Sequence, residues 1–399
     1  MISLSNIDIL EAIRAFSSNE RAATLDVSFL VPTITSLEKS IMDATKEVRL
    51  HFKKVQIHHY DEQAQGPEHK VILPALIFSK GEVIESKCSL YRPNTKQGDP
   101  RIWFAGLKIY AEPTDLLALV QLNKGVAVIN CSQSNLGHLL NLQNKSFWSE
   151  IKQPKVQLQP VAVELLGKLI DISSKGYIPT LRSGDTGVGY TLETLLGIAA
   201  NSSKSPDYGG IELKSSRNRG GRANKITMFS KTPNWLMSRL KHSKEILSER
   251  GYYNEIRSRR QLYHTISSLG PNSLGLVLNL ENELLHQNYV DAKLTQHDVL
   301  WEMDELWDSL SEKHKETFWI SADTQGKGAS EKFHYTSVNY TAEPDLLKMR
   351  LLIEAGAITV DYTISEKPNG SVKDKGYLFK IAKKNIELLF KPIGQFPLC

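Results

Sequence analysis

Cysteine is scarce. The chain has 399 residues and only three cysteines, Cys88, Cys131 and Cys399. They are scattered and form no C-x-x-C pair, which argues against a disulfide scaffold and a structural zinc site and suits a reducing compartment. Also absent are an apolar run of membrane-spanning length and a cleavable signal peptide, so a protein without membrane contact, in the cytoplasm, is expected. No internal repeat or long low-complexity tract is visible. Hydrophobic residues make up 41% and charged residues 23%, the composition of an ordinary globular chain with material for two or three domains.

Acids are missing from one particular place. The net charge is only +5, but Lys204 to Lys244 holds ten Lys and Arg against two acids, Asp207 and Glu212. A basic field around an isolated pair of carboxylates suits a polyanionic substrate plus a metal ion. The plainer alternative is a solvated Lys/Arg-rich loop.

The pattern of elements divides the chain. Residues 6–22 read as a helix. Short branched and aromatic runs follow: "EVRLHFKKVQIHHY", "HKVILPALIF", "SKCSLYRP", "RIWFAGLKIYA", "DLLALVQL" and "GVAVINCS". With turn signals between them, they predict a compact β-barrel or sandwich over residues 1–150. The polar stretch 140–160 reads as a linker. From Pro160 the reading is mixed α/β: helices at "VAVELLGKLIDISSKG" and "GYTLETLLGIAAN", a short hairpin at 207–216, the strand "KITMFS", and strands in "SLGLVLNLENELLHQ". "HDVLWEMDELWDSLSEKH" reads as an amphipathic helix with Val299, Leu300, Met303, Leu306, Trp307 and Leu310 on one face. The tail reads as strands and a last helix. A second domain over 155–399 results.

The chemistry concentrates in "SPDYGGIELKSS", Ser205 to Ser216. In a strand, residues two apart share a face, so Glu212 and Lys214 project together while Ile211 and Leu213 turn to the core. The glycine turn lets Asp207 fold back beside Glu212. Two adjacent carboxylates raise each other's proton affinity, and a divalent cation relieves the repulsion. Such oxygen ligands suit Mg²⁺ held by Asp207 and Glu212, with Lys214 placed to orient a water or stabilise phosphate charge. The set suits phosphodiester hydrolysis.

Pro206-Asp207 followed by Glu212-x-Lys214 matches the PD-(D/E)xK nuclease signature. Together with "GVGYTLE", "LLG", "PDYGGIELK", "FSKTPNW" and "DKGYLFKI", it resembles the MvaI/BcnI family of Type II restriction endonucleases, akin to the mismatch-repair nickase MutH. The resemblance covers about 155–399. It implies a restriction-endonuclease-like α/β domain, a mixed sheet flanked by helices. It further implies Mg²⁺-dependent cleavage of double-stranded DNA at a short site of the CC-x-GG kind by a monomer. A cognate DNA methyltransferase would be the system partner. By the same resemblance Asp207 and Glu212 are the metal-binding acids, Lys214 the catalytic lysine and Glu193 an upstream helical glutamate that helps position metal or water. Glu193 has a plain alternative, an exposed helix residue.

Arg217, Arg219, Arg222 and Lys225, on a glycine-rich stretch leaving the motif, suit phosphate contacts. "RSRRQLYH", Arg257 to His264, reads similarly or as a basic helix face. Candidates for base readout are His334, Tyr335, Asp374, Lys375 and Lys380. His58 and His59 read as structural. "YRPNTKQGDPRIWF" gives the N-terminal domain a weak resemblance to the B3-like DNA-binding barrel of EcoRII-type enzymes. That implies an effector domain on a second copy of the site, with Arg92, Lys96 and Arg101 toward DNA; a scaffold or dimerisation domain is the alternative. Two other functions stay open at this stage, a MutH-like nickase governed by partners and a non-catalytic DNA-binding regulator.

Overall fold

The computed structural model describes residues 6–154, 158–198, 206–218, 225–292 and 294–399. Two compact units divide the chain: Met1–Lys155 with Asp345–Leu351, and Val156–Pro344 with Leu352–Cys399. Residues 345–351 thus group with the N-terminal unit although they lie far along the sequence.

The N-terminal unit is built on one seven-stranded sheet. Its strands, in spatial order, are Val27–Leu30, Leu117–Gln121, Val126–Asn130, Val71–Ser79, Glu82–Tyr91, Arg101–Phe104 and Met42–Asp43. Alternate residues of every strand meet in a single core: Leu30, Met42, Ala75 and Ile77, Cys88 and Leu90, Ile102 and Phe104, Leu117 and Leu119, Val126 and Val128. That period of two puts these residues on one face of the sheet; Phe29, Ala118, Val120, Ala127 and Ile129, on the other face, are buried too. One seven-stranded sheet stands where the sandwich alternative had two.

Two local expectations are corrected here. "EVRLHFKK" is a helix, Lys46–Lys54, not a strand. Thr45 caps it by accepting a hydrogen bond from the Val48 amide at 3.4 Å. Val48, His51 and Phe52 form its buried face, a spacing of three and four that outweighs the partial alternation. Much of the expected linker is also structured. A helix spans Lys145–Glu150, and Leu140, Phe147, Trp148 and Ile151 are all buried.

The second unit contains three sheets. An antiparallel sheet of five strands runs Lys225–Ser230, Val372–Ala382, Ile358–Glu366, Arg259–Ile266 and Tyr252–Asn254. A meander joins Leu276–Glu281, Leu284–Val290 and Thr295–Glu302. Val299 and Leu300 therefore lie on a strand, and the amphipathic helix begins only at Met303, running to Lys313. It keeps the expected face of Met303, Leu306, Trp307 and Leu310. The tail carries the helix Leu346–Glu354 where "LLIEA" was expected in a strand.

The third sheet positions the site. Its strands are Phe390–Pro397, Lys332–Pro344, Glu316–Gln325 and Ile211–Arg217, with Ile178–Pro179 paired onto Lys332 and Phe333. Ile211–Arg217 is an edge strand running parallel to Glu316–Gln325, with Glu212 beside Thr317 and Lys214 beside Trp319. On one face lie the helices Pro160–Ser173 and Gly187–Leu195. Leu165, Leu169, Val188 and Leu192 pack there against Ile211, Leu213, Phe318 and Ile320. Each such buried aliphatic side chain contributes roughly 1.5–3 kcal/mol. Pro160 starts the first helix with φ already set, at a position whose amide would have no partner. Gly197, at φ 74°, ends the second. Its amide bonds to Thr194 O and the Ile198 amide to Glu193 O, a Schellman closure that fixes the last turn carrying Glu193.

Candidate active site

Pro206 to Lys214 folds as a tight turn running into the edge strand. Gly209 and Gly210 have φ of 54° and 96°, the left-handed backbone that a two-residue turn of this kind needs. Tyr208 and Ile211 close it with reciprocal backbone bonds of 2.9 and 2.8 Å. Antiparallel pairing stops at that bridge. The expected hairpin is only this turn, because the strand's hydrogen bonds go instead to Glu316–Gln325 in parallel. Asp207 is held against the strand: its Oδ2 accepts the Leu213 amide at 3.0 Å.

Ile211 and Leu213 are buried in the core as expected. Glu212, on the other face, is fully buried as well. Its Oε1 accepts from Lys214 Nζ at 2.5 Å, and its Oε2 has no hydrogen-bond partner. Burial raises the Glu212 pKa; Lys214 opposes this, and the negative charge of Asp207 adds to it. Glu193, on the helix Gly187–Leu195, shares the environment. Its pKa is raised first by burial and then by Asp207, and lowered by the charges of Lys214, Arg182 and Lys313. The structure therefore assembles Glu193, Asp207, Glu212 and Lys214 into one electrostatically coupled group.

Lys313 and Arg182 also belong to this neighbourhood, and the sequence reading missed both. Lys313 Nζ lies 3.1 Å from Glu212 Oε1. No local motif announces it; it arrives because Glu316 pairs with Ile211 across about a hundred residues of chain.

Arg217 has a different role from the one expected. Its guanidinium grips Glu331 through two bonds of 2.8 Å and also donates to the carbonyls of Asp185 and Gly184. Arg217 is 9% and Glu331 6% exposed. The donors are spent inside the protein, where they tie the strand to the loop that precedes the Glu193 helix. Arg217→Met is therefore expected to lower unfolding stability by about 3–5 kcal/mol while leaving the salt dependence of DNA binding unchanged. Urea unfolding and a salt titration of binding check the two halves.

The remaining candidates disperse. Arg219 and Arg222 lie outside the described residues. Lys225 begins a strand of the five-stranded sheet and donates to Thr359 Oγ1 at 3.0 Å. Tyr335 is fully buried, its hydroxyl donating to Val188 O, so it reads no base. His334 is half-buried between Ser173 and Tyr177. Asp374 accepts from Ser243 Oγ and the Gly376 amide, Lys375 is exposed, and Lys380 pairs with Asp361 at 2.7 Å. In the N-terminal unit Arg92 donates to Gly98 O and Gln63 O, and Arg101 is 11% exposed and paired with Asp43 and Asp99. Neither is a free DNA contact, and the side chain of Lys96 lies outside what is described. His58 bonds to Gln63 as a structural residue would.

Comparison with known proteins places this geometry. The fold of the second unit is that of a restriction endonuclease. The structure of restriction endonuclease MvaI with its cognate DNA substrate is similar at a TM-score of 0.53 and 21% identity, covering 61% of this chain and 100% of that one. MvaI without DNA is similar over the same shares at 21% identity, with a TM-score of 0.38. Curated protein sequences give no match. The MvaI/BcnI restriction endonuclease family matches residues 166–390, more than half of the chain. The chain belongs to that family and is a site-specific DNA endonuclease. No described helix is long and apolar enough to cross a membrane.

Proposed function

We propose that the protein cuts double-stranded DNA at a short site with Mg²⁺ as cofactor, and that Glu193, Asp207, Glu212 and Lys214 carry the reaction. The observation that supports this most is the state of Glu212. It is a fully buried carboxylate, bonded to a lysine through one oxygen, with the other oxygen unpartnered and Asp207 close enough to raise its pKa. An orphaned buried oxygen beside a second acid fits a small divalent cation. Among the described residues no three His, Cys, Asp or Glu side chains cluster as a cage of their own. That fits Mg²⁺, which binds through one or two carboxylates and completes its octahedron with water and substrate phosphate.

In this reading Asp207 and Glu212 hold the ion, which when bound lowers the pKa of water and stabilises charge on the phosphate. Lys214, fixed by its bond to Glu212, stands where it orients the attacking water. Glu193, with its raised pKa, is placed to share a proton with that water. Lys225, with Arg219 and Arg222, supplies phosphate contacts, and His334, Asp374 and Lys375 remain candidates for base readout. The family reading extends to a monomer, a site of the CC-x-GG kind and a cognate methyltransferase. Digestion of a DNA of known sequence with Mg²⁺, followed by sequencing of the ends, tests it. Ends confined to one motif support the reading; no cleavage, or nicks that never become breaks, refute it.

The N-terminal unit is assigned a separate task, binding a second copy of the site and tuning cleavage. Full-length protein on a one-site plasmid is expected to respond to a site-containing oligonucleotide added in trans. An unchanged cleavage rate would leave that unit as a scaffold.

A further inference from the structure

Glu212 attracts more positive charge than its own motif supplies. Lys214 Nζ lies 2.5 Å and Lys313 Nζ 3.1 Å from the same oxygen, Oε1. Two ammonium groups crowd one oxygen while Oε2 has no partner. Lys313 closes the helix Met303–Lys313 and is 23% exposed. It stands three residues before Glu316, the register partner of Ile211, so the parallel pairing itself delivers this helix end to the site.

The geometry points to Lys313 as a resident counter-ion: it balances Glu212 while no divalent cation is bound and yields when one arrives, so that it sets the affinity of the metal site. This rests on the reading of Asp207 and Glu212 as metal ligands. A buried carboxylate needs compensating charge, and Lys214 and Lys313 together supply it at Oε1. A dication at Glu212 then repels a nearby ammonium, and the two lysines differ in their freedom to move. Lys214 is rooted in the strand at Glu212's own face. Lys313 closes a helix, and the last-turn carbonyls there remain a favourable environment for its charge once it leaves the carboxylate. Swapping a monocation for a dication thus carries a built-in electrostatic opposition.

The test is calorimetric titration of Mn²⁺ into full-length, DNA-free protein. Lys313→Met is expected to bind the cation about tenfold more tightly than the wild type, and Lys313→Arg, which keeps the charge, to bind as the wild type does. The melting temperature of Lys313→Met should fall without metal and rise further on adding it than the wild type's does. Unchanged or weaker cation binding in Lys313→Met overturns the proposal in favour of a plain structural ion pair. If that variant does not fold, Lys313→Gln, uncharged and of similar length, must give the tighter binding instead. Asp207→Asn separates the two levels of the argument. If it binds Mn²⁺ like the wild type, the metal-site reading fails and this inference with it. If it loses binding while Lys313→Met gains nothing, only the counter-ion role fails.

Discussion

Asp207→Asn is expected to cut DNA at least about a thousandfold more slowly than the wild type. The estimate follows from the several kcal/mol that a metal ion contributes to transition-state charge, at about 1.4 kcal/mol per tenfold in rate. The asparagine removes the negative charge but keeps an oxygen that can accept the Leu213 amide, the one bond the structure gives Asp207 within the turn. The fold should therefore lose less than about 1 kcal/mol, and binding to the specific site, measured without cleavage in Ca²⁺, should persist. A second effect follows from the electrostatics. Asp207 raises the pKa of both Glu193 and Glu212, so neutralising it should lower the proton affinity of both. Substantial Mg²⁺-dependent cutting by this variant would falsify the assignment of the site.

A large loss of stability is also expected outside the site, at Asp298. This carboxylate is fully buried in the meander of the second unit. It accepts hydrogen bonds from Arg250, Arg239 and Gln287. Burial alone would raise its pKa, but those bonds outweigh burial and hold it below the usual 3.8. Asp298→Asn removes the buried counter-charge that Arg239 and Arg250 share and leaves them only the partly exposed Glu249, Arg250 being 10% exposed. A loss of about 3–5 kcal/mol at neutral pH is expected. The sign with pH is fixed by the direction of the shift. A depressed carboxylate contributes stability that is fully present above its unfolded value and is lost as pH falls through its folded value. Wild type and variant should therefore differ most near neutrality and converge as pH falls through the folded value. Urea unfolding at several pH values measures this; a gap that stays constant with pH would contradict it.

The motif was legible because its logic is local. Alternation on Ile211–Lys214 tells which side chains share a face, and the Gly209-Gly210 turn tells that Asp207 comes back to them. The start near Pro160 was legible for the same reason, but the end of the Glu193 helix was not: the reading carried it past Gly197, which closes it in the structure. What stayed hidden was set by pairing at long range. Nothing near residue 211 says that its neighbour is residue 316, so neither Lys313 nor the parallel register was visible. Arg217 looked like a free phosphate contact because Glu331, its partner, lies more than a hundred residues away. "EVRLHFKK" misled by composition: Val48, His51 and Phe52 satisfy a helical spacing as well as a partial strand alternation, and Thr45 decides between them by capping. At Val299 and Leu300 a strand passes directly into a helix, and one continuous apolar stripe concealed the boundary.

The most direct measurement is anomalous diffraction from crystals of the protein with duplex DNA carrying its site and Mn²⁺. The expected result is an ion peak at Asp207 and Glu212, with Lys313 Nζ withdrawn from Glu212 Oε1. A fully occupied ion elsewhere, with Asp207 and Glu212 left without one, would contradict it.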